Sequence, residues 1–301
     1  MSDIRFAWLE ITGKCQLVCE HCYAGSGPRG NHGTLGTADW QRVIEQLADQ
    51  GVTAVQFIGG EPTLHPGLSE LIAFALDRRI RVEVFSNLVH VPQRLWPTLE
   101  RDGVSLATSY YSDDPAEHTA VTGRPSHART KANIAEAVRR KIPLRAGVID
   151  VREGQRVSAA QRELESIGVQ QIGTDRLRQV GRGARESTPD TSQLCGHCVS
   201  GVIAVSPDGS VWPCVFSRWL PVGNVMDAAL ADILVSPEAQ RVRKELAADF
   251  AAREVTAAGR PKPPPCDPKC GPSCGPACNP SCWPTGTGPC RPKGGCQPNY
   301  D

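Results

Sequence analysis

The sequence predicts an α/β fold: six strand–helix repeats in an open sheet or partial barrel, followed by a small cysteine-rich region. Three observations predict it. Short apolar runs alternate with amphipathic stretches over about the first 175 residues, the pattern of a parallel sheet with right-handed crossovers. Beyond residue 176 the alternation gives way to a hairpin signal and two helices. Residues 261–301 hold 12 Pro, 6 Gly and 7 Cys, a composition that cannot pack an apolar core and is either disordered or organised by metal.

Residues 6–12 read as the first strand. Thr37 or Asp39 can cap a helix that carries Trp40, Val43, Ile44 and Leu47 at helical spacing, and Gly51 stops it. Further strands are expected over 53–58, 80–85, 104–108, 144–149 and 169–173. Leu68, Leu71, Ile72, Ala75 and Leu76 trace a helix face, and helices are also expected over 93–101, 130–141 and 158–167. Eight repeats would close a full barrel, so six suggest a partial (β/α)6 TIM-type barrel or else a doubly wound sheet; periodicity alone does not choose. Residues 203–205 and 211–215 flank Pro207-Asp208-Gly209 as a hairpin, and helices are expected over about 227–234 and 237–250. The expected divisions are a barrel at 1–185, a hairpin-and-helix unit at 186–260 and a metal-binding tail at 261–301.

Lys and Arg total 33 against 32 Asp and Glu, which argues against nucleic-acid or membrane-surface binding. The opening residues carry Asp3, Arg5 and Glu10 with no signal-like apolar run, so the expectation is a cytoplasmic protein. Thirteen cysteines, an odd number without an export signal, point to metal or redox chemistry rather than disulfides.

Cys15, Cys19 and Cys22 follow the first strand at x3 and x2 spacing. In a βα unit this loop lies at the C-terminal end of the strand, where such folds place their chemistry. Three thiolates on one short loop can converge on one face of an iron–sulfur cube, leaving an iron without a protein ligand. The competing reading is zinc, with His21 as the fourth ligand, although His21 is cramped between Cys19 and Cys22. Gly59-Gly60-Glu61-Pro62 follows the second strand, and Ser86-Asn87 the third. Glycines there let a backbone approach a ligand, Glu61 can accept from an ammonium, and Ser86 and Asn87 can bond hydroxyls or cap a helix.

Together these motifs resemble the radical S-adenosylmethionine (SAM) superfamily, over about residues 5–235. The resemblance implies a 4Fe–4S cluster on Cys15, Cys19 and Cys22, with SAM chelating the free iron. Reductive cleavage of SAM would give a 5′-deoxyadenosyl radical that abstracts a substrate hydrogen. Gly59, Gly60 and Glu61 would meet the SAM amino group, and Ser86 and Asn87 its ribose. Tyr23 could pack near adenine, while Ser109 and Arg145, at the ends of strands four and five, stand where the family often contacts SAM. On strand five Gly147-Val148-Ile149 lacks the Gly and Glu that the family places downstream.

Cys198, Gly209 and Cys214, with Cys195 nearby, resemble the hairpin half of the family's SPASM/Twitch extension, which holds an auxiliary iron–sulfur cluster. The Arg178–Gly183 run (RQVGRG) resembles its lead-in. The tail departs from that pattern: Cys266, Cys270, Cys274, Cys278 and Cys282 recur at x3 spacing, then Cys290 and Cys296 follow. Pro268, Pro272, Pro276 and Pro280 forbid a helix there, so some of these thiols would complete one or two auxiliary clusters by folding back, or else form a flexible metal-scavenging tail.

The loop from Ser109 through Tyr110, Tyr111, Ser112, Asp113 and Asp114, with His118 and Arg124 behind it, is the richest candidate substrate face. Tyr110, Tyr111, Asp113, His118 and Arg124 are the catalytic candidates. The expected substrate is a ribosomally made peptide (crosslinked, epimerised or oxidised), and the alternative is a small molecule such as a sugar. A non-catalytic zinc or electron-transfer protein is a third class. Strand one starts almost at once, so a peptide would need a separate recognition protein or direct capture. A flavodoxin- or ferredoxin-type reductant is implied by the resemblance.

Overall fold

A computed structural model describes residues 4–196, 198 and 201–258. Six strands, β1 (Phe6–Thr12), β2 (Ala54–Gly59), β3 (Arg81–Phe85), β4 (Val104–Tyr110), β5 (Leu144–Asp150) and β6 (Gln171–Arg176), pair in parallel and in chain order. The helices between them are α1 (Thr37–Asp49), α2 (Leu68–Asp77), α3 (Trp96–Leu99), α4 (Pro115–Thr122), α5 (His127–Arg139) and α6 (Val157–Ile167). The sheet is not closed: β6 ends it, as a partial barrel requires and a full barrel forbids.

At its other side the sheet continues. β7 (Val202–Val205) pairs in parallel with β1, setting Phe6 beside Val202 and Leu9 beside Val205. The hairpin strand β8 (Ser210–Trp212) and the short β9 (Gly223–Asn224) extend it antiparallel, giving nine strands in all. α7 (Leu230–Val235) and α8 (Pro237–Ala258) complete the described chain. The hairpin unit is thus built onto the barrel's own first strand.

Several elements differ from expectation for local reasons. α1 is capped by Gly36 rather than Thr37 or Asp39; Asp39 acts from inside the first turn, accepting from the Gly36 N–H at 2.8 Å. The stretch 93–101 is a 3-10 turn at Gln93–Leu95 and then one helical turn, because Pro97 supplies no N–H to extend a longer helix. α4 forms where a loop was expected. Asp114 caps it by accepting from Glu117 N at 2.8 Å, Pro115 takes the first helical position, and Gly123 ends it at φ +69°. β6 begins two residues later than expected and runs to Arg176, because its pairing with β5 spans Gln171 opposite Arg145 to Arg176 opposite Asp150.

The core lies between the sheet and the outer helices. Trp40 of α1 and Trp96 of α3 are its largest side chains, with Leu9, Phe57, Val84, Leu106 and Ala146 from the strands. β4 shows the division of faces: Leu106, Thr108 and Tyr110 point one way, while Ser109 and Tyr111 point into the barrel mouth.

Candidate active site

The C-terminal ends of the strands open into a cavity of about 280 Å³. Cys15, Cys19 and Cys22 line it, and three neighbouring segments fix their loop. Thr122 and Val121, at the end of α4, accept from Val18 N at 3.0 Å and Glu20 N at 3.1 Å. After β6, Arg182 reaches back: its Nε donates to the Cys19 carbonyl and its Nη2 to the Ser26 carbonyl, both at 2.8 Å, and its backbone N–H to the Cys22 carbonyl at 3.0 Å. Gly181 passes so close that a Cβ there would lie 2.2 Å from the Tyr23 carbonyl.

The third fixing segment is Gly59-Gly60-Glu61. Gly60 N donates to Thr12 O at 2.6 Å and Glu61 N to Lys14 O at 2.8 Å. A Cβ on Gly60 would stand 2.2 Å from Lys14 O, and Gly59 adopts φ +119°. The glycines are therefore demanded by the packing of this turn against the cysteine loop, and both also line the cavity. Glu61 does not. It is fully buried and accepts from the Ser86 hydroxyl, Asn87 N and the Thr63 hydroxyl, each at 2.8 Å, and from Thr63 N at 3.1 Å. Its carboxylate ties the loops after β2 and β3 together and is held by protein donors, off the cavity wall. Ser86 is withdrawn with it, while Asn87 lines the cavity and donates from Nδ2 to Cys15 Sγ at 3.6 Å.

Ser109, Tyr111, Tyr23 and Arg145 also face the cavity. Arg145 grips Glu83 through two bonds of 2.6 Å, and Gln56 donates to the same carboxylate, so one polar row crosses β2, β3 and β5. Tyr23 packs against Phe216 at 5.3 Å. The other four catalytic candidates lie elsewhere. Tyr110 and His118 are buried behind β4 because alternation turns Tyr110 away from the mouth. Asp113 is paired with Arg156 at 2.6 Å, and Arg124 is exposed.

The second cysteine set opens onto the same space. The Cys198 thiol lies against both Cys195 and Cys214, and Cys195 and Cys214 line the cavity. Ser217 shapes the Cys214 turn, its hydroxyl accepting from Cys214 N at 3.0 Å and donating to Cys214 O at 2.9 Å. Cys266, Cys270, Cys274, Cys278, Cys282, Cys290 and Cys296 lie outside the described residues.

The donor set suits an iron–sulfur cluster. Burial, and then the Glu61 carboxylate, push the Cys15 thiol up to about 12. Burial and the neighbouring Cys22 and Cys15 raise Cys19, against a smaller opposing effect of Arg182. Sulfurs crowded so that each disfavours ionising the next need a cationic centre, and coordination deprotonates a thiol outright. A 4Fe–4S cube takes each cysteine sulfur on a different iron, so three thiolates on one loop can hold it. The Ser26 hydroxyl and His21 Nδ1, both on the cavity wall, are buried without a partner, as a site built for a polar ligand leaves them.

Residues 9–155 match the model of the radical SAM superfamily, and residues 195–271 that of an iron–sulfur cluster-binding domain, SPASM. The chain belongs to the radical SAM superfamily. It is 26% identical over 269 residues to the PqqA peptide cyclase of Xanthomonas campestris pv. campestris, covering 75% of this chain and 72% of the relative. Its identity to the sporulation killing factor maturation protein SkfB of Bacillus subtilis is 27% over 263 residues, with 75% and 63% covered. The fold matches Streptococcus suis SuiB bound to precursor peptide SuiA with a TM-score of 0.68 at 14% identity, over 81% of this chain and 67% of that one. As a radical SAM enzyme with a SPASM region, the chain uses SAM, a 4Fe–4S cluster and auxiliary clusters. No described helix is long and apolar enough to cross a membrane.

Sequence reasoning missed the Arg182 clasp, the support from α4 and the Gln56–Glu83–Arg145 row. The first two join segments far apart in the chain, and no spacing rule reports such contacts. The Asp114-Pro115 start and Gly123 stop of α4 were the available signal.

Proposed function

We propose that this chain is a radical SAM enzyme that modifies a ribosomally made peptide by crosslinking, epimerisation or oxidation. The observation that carries the reading is that two separate cysteine sets open onto one cavity walled by the Gly59-Gly60 turn. In this reading Cys15, Cys19 and Cys22 hold the SAM-binding cluster, and Cys195, Cys198 and Cys214 hold an auxiliary cluster completed from the tail cysteines. When bound, the cluster and SAM together supply an electron and a hydrogen-abstracting 5′-deoxyadenosyl radical.

The chain's own residues do the positioning. The Gly59-Gly60 backbone, Asn87, Ser109 and Arg145 orient SAM, and Tyr23 and His21 present rings to it. Trp8, Phe85, Ile149 and Phe216 supply apolar wall that keeps water from the reacting centre. Of the five catalytic candidates only Tyr111 stands on the cavity wall. The barrel is read as 1–185 and the auxiliary unit as 186–260, sharing one sheet, with 261–301 as a metal-binding tail. A peptide substrate is supported by the relatives, a peptide cyclase and a killing-factor maturation protein, and accords with a fold shared with SuiB, which was solved bound to a precursor peptide. A flavodoxin- or ferredoxin-type reductant and a separate peptide-recognition protein belong to the same reading.

The test is anaerobic reconstitution followed by reduction with SAM. About eight or more irons per chain, from cubes of four, and formation of 5′-deoxyadenosine are expected. Co-expression with short peptides encoded beside the gene should then give a peptide of altered mass. Zinc at the triplet, or no 5′-deoxyadenosine, would overturn the reading.

A further inference from the structure

A train of five rings links the cavity to the outside of the barrel. Tyr111 stands on the cavity wall, and its ring meets His21 at 5.0 Å and His118 of α4 at 5.4 Å. His118 lies edge-on to Tyr110 at 5.3 Å and to His127 of α5 at 5.3 Å, and Tyr110 meets His127 at 5.7 Å. Tyr110 and His118 are both buried. The train ends in an acid–base group: the Tyr110 hydroxyl donates to Glu163 Oε2 at 2.6 Å and lies 2.8 Å from His127 Nε2. Glu163 is paired with the half-exposed Lys131.

A phenol gives up an electron readily only when its proton has an acceptor, and Tyr110 has one at charge-assisted distance. Tyr111 differs in facing the site where the radical forms. We propose that Tyr111, His118 and Tyr110 form a relay that discharges a cavity radical when no substrate hydrogen is in reach. The inference rests on the radical SAM reading and adds an outlet for its unproductive turnovers.

The steps balance as follows. The carbon radical takes a hydrogen atom from the Tyr111 hydroxyl: a C–H bond forms, an O–H bond breaks, and a phenoxyl radical remains. Tyr110 then gives an electron across the His118 ring to Tyr111 and its proton to Glu163. Tyr111 regains a proton from water that enters the cavity while no peptide fills it, leaving hydroxide. A one-electron donor of the flavodoxin or ferredoxin class later reduces Tyr110, and the proton returns to it from Glu163.

The test is freeze-quench electron paramagnetic resonance on the cluster-loaded enzyme with SAM and dithionite, without peptide. A radical signal is expected that narrows when the tyrosines carry ring deuterium. Tyr111→Phe should abolish it. Tyr110→Phe and Glu163→Gln should each leave the radical on Tyr111, giving a tyrosine signal whose hyperfine pattern differs from that of the unaltered enzyme. Glu163→Gln keeps both phenols and the side-chain shape, so it separates proton acceptance from folding, and cluster content in each variant reports folding directly. A tyrosine signal of unchanged line shape in Tyr110→Phe would show that the radical never leaves Tyr111 and would overturn the relay. So would 5′-deoxyadenosine formed with no tyrosine signal, an outcome that leaves the radical SAM reading standing. Absence of 5′-deoxyadenosine would remove both.

Discussion

Gly60 sits where any side chain would collide with the Lys14 carbonyl, so Gly60→Ala must push the Gly59–Glu61 turn away from the cysteine loop. The expected outcome is a destabilised barrel and poor iron retention, read by melting temperature and iron content. A substitution at Gly25, which has open space around it, serves as the contrast, costing only the strain of its φ of +63°. The buried imidazoles make a second residue-scale prediction. Burial lowers His118, and likewise His65, from 6.5 to about 4. Below pH 6.5 the unfolded chain binds protons that these folded sites refuse, so stability falls as pH drops from 6.5 towards 4 and levels off beneath it. For His118 the loss is on the order of 3 kcal/mol. His118→Leu should flatten the pH dependence of urea denaturation, and an unchanged slope would sink this account. The motif residues were legible in the sequence, because spacing announces Cys15, Cys19, Cys22 and Gly59-Gly60. What Glu61 does was not: an acidic side chain beside glycines reads as ligand-facing, and only the positions of Ser86, Thr63 and Asn87 show it occupied by protein donors.

At the scale of elements, the cysteine loop is held by pieces that the sequence pattern describes poorly. α4 is short and weakly amphipathic, so it carried no periodic signal, yet its last carbonyls receive the loop's N–H groups. The Arg182 clasp spans 163 residues between its guanidinium and the Cys19 carbonyl. Arg182→Met should loosen the loop, giving lower iron occupancy and faster proteolysis near residues 16–26 with little change in the overall circular dichroism. A second long-range element is the Glu10–Arg218 pair, which joins β1 to the turn after Cys214 through bonds of 2.7 Å. Glu10 is fully buried; burial raises its pKa, opposed by the Arg218 guanidinium. Arg218→Met strands that carboxylate and should cost about 3 kcal/mol. The double variant Glu10→Gln with Arg218→Met should recover part of the loss, as denaturation of all four species in a double-mutant cycle will show. Strands β1 to β5, by contrast, were legible because buried apolar positions recur along each between turns, and such patterns depend little on distant partners.

For the molecule as a whole, the partial barrel could be read from six repeats, but the place of the hairpin could not. A hairpin is a local signal; that its first strand docks in parallel on β1 is a non-local pairing without any signature of its own. Since β1 is bonded on one side to β2 and on the other to β7, the barrel residues alone leave β1 as an open edge. The fragment 1–185 should therefore be poorly soluble and lack a cooperative melting transition, while a fragment ending after α8 should fold. A soluble, cooperatively melting 1–185 fragment would show that the shared sheet is dispensable.

The pairing of Phe6 with Val202 also sets a timetable for the newborn chain. β1 meets β7 only after about 200 more residues have been made, on the order of ten seconds or more at ordinary elongation rates. For that interval one flank of β1 is bare, and a chaperone or a neighbouring nascent chain has its longest opportunity to engage it.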